Sequence, residues 1–187
     1  MKKELQSFEE EFFLNIREKE AWKNISGNED LPWDINLIEK NVDKLNWEEL
    51  SGNESIIWDT ALIEKFKYKI DWDVLSATIL GGGSMYRSRG VIDMEWTILK
   101  KFDTYWNWHE LSKNSRRIPV EILEQYADNW DWKELIDNNE ISWTLDLFNK
   151  FKRYIPTSCF ETLQNSSLWQ KLIKIDEQIL TGKLLSE

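Results

Sequence analysis

The chain has 187 residues, 41% hydrophobic and 31% charged, with net charge −10 and pI near 4.8. That suits one domain or one continuous array, and so acidic a protein repels nucleic acid and anionic membranes and steers toward basic partners. Seven Gly and three Pro argue against a turn-rich sandwich or barrel, and no apolar run reaches the ~18 residues of a membrane span. No apolar stretch follows the two N-terminal lysines, so no signal peptide is expected. The single Cys159 cannot form an internal disulfide, which points to a reducing, cytoplasmic compartment.

In chain order, residues 7–21 read as an N-terminal capping helix with Phe8, Phe12, Phe13 and Ile16 inward. A repeat follows. Trp22, Trp47 and Trp72 are 25 residues apart, Trp108 comes 36 later and Trp132 another 24 later. Each unit opens on Trp-x-x-Leu (Trp47/Leu50, Trp72/Leu75, Trp108/Leu111, Trp132/Leu135), with Trp22/Ile25 as the variant. A turn with Asn28, Asn53, Asn114 or Asn138 follows, then a second Trp at 33, 58 or 143. Met94 takes that place in the third unit, and Ile118 or Pro119 in the fourth.

A Leu-Ile-x-x-Phe stripe closes the unit: Leu62/Ile63/Phe66, Ile98/Leu99/Phe102, Ile122/Leu123/Tyr126 and Leu147/Phe148/Phe151. In the first unit Asn41 stands where the aromatic should be, after Leu37 and Ile38. Trp58, Leu62, Ile63 and Phe66 share one helical stripe, which predicts a second helix of about ten residues. Asp71 and Asp131 precede Trp72 and Trp132 as N-caps, and "SGN" supplies Gly or Asn for a left-handed stop. Residues 157–181 read as a degenerate last unit and a closing helix around Leu168, Trp169, Leu172, Ile173 and Ile179.

One such hairpin cannot bury its own apolar face, whereas stacked copies can. The expected fold is an all-α, right-handed helical-repeat solenoid of about five short-helix/long-helix units in a single domain. Its parts are a cap at 1–21, repeats at 22–156 interrupted at 77–93, and a second cap at 157–187. The pattern resembles the Trp-rich helical repeats, W-x-x-L-S-x-N-x-x-L-P-W-x-x-x-L-I-x-K-[FY], of uncharacterised bacterial and large-virus proteins. The resemblance spans most of residues 22–155 and implies a repeat fold without any catalytic residue.

Positions that recur in every copy serve stacking, so the Trp ladder reads as core, including Trp106 and Trp130 two residues before the repeating Trp. His109 has Glu48, Asp73 and Lys133 as counterparts and reads as a solvent position. With one His and one Cys there is no zinc set, and no cofactor is expected. The L-I-E-K carboxylates and lysines read as a solvated charged face.

Charge is uneven: residues 1–75 carry 10 basic against 18 acidic groups, residues 76–117 carry 7 against 4, and residues 118–187 carry 7 against 12. The repeat breaks between Ser76 and Asp93, where four glycines accompany Tyr86, Arg87 and Arg89, and the next turn adds Lys113, Arg116 and Arg117. These six are the candidate interaction residues if adjacent turns share an edge; the alternative is a passive surface loop.

Three functions compete on this evidence. The first is a non-enzymatic protein-binding module, an acidic inhibitor or immunity-type protein that occludes a basic protein. The second is a sensor of a small anionic ligand through the Gly/Arg insertion. The third, an enzyme, would need converging carboxylates with an unusual pKa.

Overall fold

A computed structural model describes residues 2–79, 92–116, 118–159, 163 and 167–185. Among them there are eleven α-helices, one 3-10 turn and no strand. In order these are α1 (Lys2–Ser26), α2 (Ile35–Lys40), α3 (Trp47–Gly52), α4 (Thr60–Phe66), α5 (Trp72–Thr78) and α6 (Ile92–Lys101). Then come α7 (Trp108–Asn114), α8 (Val120–Gln125), α9 (Trp132–Asp137), α10 (Leu145–Phe151), the 3-10 turn Thr157–Cys159 and α11 (Ser167–Leu184). The chain divides into two compact units, 1–106 and 107–187.

Each Trp-x-x-Leu is a short helix, and each L-I-x-x-F stripe is a second helix. The second helices mostly run only six or seven residues, shorter than the stripe predicts, because the closing aromatic already ends the helix in a turn. Helices this short have no stability of their own in water, so caps and packing hold them. Asn46, Asp71, Asn107 and Asp131 cap the Trp-x-x-Leu helices, and Asp34, Asp59 and Thr144 cap three of the second helices. Each accepts a backbone N–H of the first turn, a contribution of about 1 kcal/mol apiece.

Within the first unit the end of α1 packs on α3, and α3 packs on α5; within the second, α7 packs on α9. Leu50, Leu75, Leu111 and Leu135 at these contacts are completely buried. Ile25, their counterpart in α1, is 37% exposed. None of the twelve tryptophans is exposed.

The opening Trp of each unit packs on the closing aromatic of the same unit. The pairs Trp47–Phe66, Trp72–Phe102, Trp108–Tyr126 and Trp132–Phe151 have ring centroids 5.3, 6.1, 4.9 and 5.0 Å apart. Where Asn41 replaces the aromatic, Lys44 sits over Trp22 at 5.4 Å instead. The indole N–H of Trp47, Trp72 and Trp132 donates to the carbonyl five residues back, at Val42, Lys67 and Ala127. One ring thereby closes the unit by apolar contact and by satisfying a helix-end carbonyl. Trp106 and Trp130 are buried at the return loop, donating to Leu99 O and Ile122 O.

Several expectations are corrected. α1 is not an inward-facing cap: Phe12, Phe13, Leu14 and Ile16 are 49–62% exposed, because only its last turns meet α3. The Phe8 side chain lies outside the described ones. In α11, Ile173 and Ile179 are exposed, Trp169 is half-buried, and the Leu168 and Leu172 side chains are not among those described. The short helices do not stop in a left-handed residue: Asn53 (φ −73°, ψ 109°) and Asn138 (φ −74°, ψ 107°) are extended. Asn114 is not in the turn but ends α7, with Nδ2 donating to Glu110 O, and Ser115 takes the C-cap.

Candidate functional site

The "SGN" letters form the joint between neighbouring short helices. The hydroxyl of Ser26 accepts the backbone N–H of Asn46, that of Ser51 the N–H of Asp71, and that of Ser112 the N–H of Asp131, at 2.9–3.0 Å. Ser26 and Ser112 also donate to the carbonyls of their own Trp22 and Trp108, both at 2.7 Å. The Asn reaches the other way: Asn53 Nδ2 donates to Ser26 O and Asn28 O, and Asn138 Nδ2 to Ser112 O and Ser115 O. These serines and both asparagines are buried, so each polar atom must be paired within the joint.

The glycine has a different reason. A Cβ on Gly27 would meet Glu49 Oε2 at 3.2 Å, and one on Gly52 would meet Val74 Cγ1 at 3.0 Å. Glycine here permits close approach of the next helix. It also leaves a cavity of about 330 Å³ lined by Gly27, Glu29, Glu48, Glu49, Gly52, Asn53 and Val74. A groove of about 520 Å³ lies beside it between loops 29–35 and 55–62, sharing Glu29. Its apolar wall comes from Leu31, Trp33, Ile35 and Ile57, and its carboxylates are Glu29, Asp34 and Asp59.

The chain matches no family model, no curated protein and no solved structure. Function therefore has to be argued from these surfaces.

Of the predicted interaction residues, Tyr86, Arg87, Arg89 and Arg117 lie outside the described residues, as does most of the 77–93 insertion. Lys113 is exposed at the end of α7. Arg116 is half-buried, with Nε 3.7 Å from Glu140 Oε2.

The L-I-E-K charges are a ladder between units: Glu39 pairs with Lys65, Glu64 with Lys101 and Glu124 with Lys150, at 2.6, 3.4 and 2.7 Å. Lys67 also bonds Glu64 at 2.6 Å, which holds that exposed carboxyl below its usual range and raises the lysine. Burial raises the Cys159 thiol, which disfavours the reactive thiolate.

His109 is exposed, as expected, yet it is not isolated. Its Nδ1 lies 2.9 Å from Asp131 Oδ2, and Glu134 brings a third ligating atom, all within 4.8 Å. The hydrogen bond to Asp131, with the nearby charges of Glu134 and Glu110, raises the imidazole pKa against some desolvation. Burial pushes Asp131 up, but the bonds from His109 and from the amides of Glu134 and Lys133 outweigh it and leave the carboxyl lowered. Sequence spacing hides this cluster because its members sit 22 and 3 residues apart on two helices. The register Trp108+1 against the cap of the next short helix is the signal that would have found it.

Proposed function

We propose that this protein is a non-enzymatic protein-binding module that engages a basic protein and occludes it, in the manner of an acidic inhibitor or immunity-type protein. The observation that supports this reading most directly is the uncovered face of α1. Phe12, Phe13, Leu14 and Ile16 are 49–62% exposed, and they stand among the exposed Glu10, Glu11, Glu18 and Glu20, with Arg17 and Lys19 alongside. Exposed apolar side chains set among mostly acidic charge are the anatomy of an interaction surface. The net charge of residues 1–75, 10 basic against 18 acidic, gives that surface its preference for a basic partner and a fast, steered encounter.

The test is to identify what co-purifies with the chain from its own cells, reconstitute the pair and titrate it at two ionic strengths. Raising salt from about 50 to about 500 mM should weaken binding by roughly tenfold or more, since screening shortens the reach of surface charge. Phe12→Ala/Phe13→Ala should weaken it further without lowering the melting temperature, because neither ring is buried. Association indifferent to salt, or to both changes, refutes the reading.

A further inference from the structure

We infer that the groove between loops 29–35 and 55–62, with the glycine-lined cavity beside it, is the docking site for a short basic segment of the partner protein. In the bound state an apolar side chain rests on Leu31, Trp33 and Ile57, and neighbouring lysine or arginine side chains reach Glu29 and Glu48. This deepens the proposed function and rests on it.

Charge complementarity selects the occupant. In the first unit Glu39, Asp43 and Glu64 each pair with a lysine, as does Glu49 at the rim of the glycine-lined cavity. At the two cavities, Glu29, Glu48, Asp34 and Asp59 form no ion pair with a described residue. Asp34 and Asp59 each use Oδ1 to cap a helix, which leaves Oδ2 for a ligand. Carboxylates gathered around half-buried apolar residues favour a cation carried on an aliphatic stem, and they disfavour phosphate or nucleic acid.

The second unit supplies the contrast. The loops corresponding to this groove are bridged by Arg116 and Glu140, and Lys113 and Asp137 stand where Gly27 and Gly52 open the cavity. The same repeat thus carries charged side chains and an Arg–Glu pair at these positions in one unit, and glycines beside acids in the other.

The test uses the full chain and three amide-capped peptides: alternating arginine–leucine, arginine–glycine and glutamate–leucine. Binding is followed by ¹H–¹⁵N spectra, with the Trp33 indole signal assigned by Trp33→Phe. The Trp33 indole and the Gly27 and Gly52 amides should move saturably with the arginine–leucine peptide, roughly tenfold more weakly with arginine–glycine, and not with glutamate–leucine. Glu29→Gln/Glu48→Gln, at exposed positions that cap no helix, should keep the melting temperature and weaken arginine–leucine binding about tenfold. Unmoved signals at Trp33, Gly27 and Gly52, or equal affinity in the double variant, overturn the docking site. If the shifts map instead to Phe12–Ile16, this site is wrong while the wider binding-module reading stands. If salt-sensitive association with the cellular partner is also missing, both fall.

Discussion

At the scale of single residues, the joint serine and asparagine are the polar groups on which the fold depends. Asn53→Ala removes the hydrogen bond to the carbonyl of buried Ser26 and one to Asn28 O, which keeps the Trp33 indole N–H, plus the acceptor of Ser55 N–H. The expected loss is about 1–3 kcal/mol in urea unfolding. Asn28→Ala, whose exposed side chain accepts Asp30 N–H, should cost well under that.

His109 carries a pH dependence whose sign follows from its raised pKa. Its contribution is complete below the unfolded-state pKa near 6.5 and is lost as pH rises through the higher folded-state value. Melting of the native chain followed from pH 6 to 8 should therefore show a small decline that His109→Gln abolishes. The effect is small because the imidazole is half exposed, with Glu110, Glu134 and Lys133 also nearby.

At the scale of elements, helix propensity and helix packing pull in opposite directions at the joint glycines. Alanine in place of a helical glycine is ordinarily worth about 0.5–1 kcal/mol in favour of the helix. At Gly182 in α11 nothing lies within 4 Å of the added Cβ, so Gly182→Ala should stabilise. At Gly52 the same Cβ meets Val74 Cγ1 at 3.0 Å, so Gly52→Ala should destabilise and Val74→Ala should recover part of the loss. Denaturant midpoints of Gly182→Ala, Gly52→Ala and Gly52→Ala/Val74→Ala against the native chain check the reversal. The two helices bearing these glycines have similar local sequence rules; only the neighbouring element separates them.

At the scale of the molecule, period and composition made the all-α repeat legible, because four copies of Trp-x-x-Leu and of the L-I-x-x-F stripe, with a variant first unit, repeat the same apolar spacing. The buried leucines, the capping aspartates and the core role of Trp106 and Trp130 followed from that spacing. What one unit's sequence could not show was its relation to the next. The roles of Ser26, Gly52 and Asn53 depend on partners about 20 to 27 residues away, so a local reading assigned the turn to backbone conformation alone. The apolar residues of α1 misled for the same reason: a helical stripe reports that something will cover it, without saying whether the cover belongs to the same chain. The groove was invisible in the sequence because its acids come from two loops, each of ordinary composition.

The serine–asparagine joint has a consequence for how such a chain is extended. The Trp47 unit offers the Ser51 hydroxyl forward to Asp71 N–H and sends the Asn53 amide back to Ser26 O, so the connection is directional and this copy carries both halves of it. A second copy of this 25-residue unit could be inserted with each half still meeting its complement. A fragment of any other length would leave a buried hydroxyl or amide facing a side chain of the wrong kind. Growth by whole units is therefore tolerated and growth by single residues is penalised, which makes copy number, more than point substitution, the easy variable of this architecture.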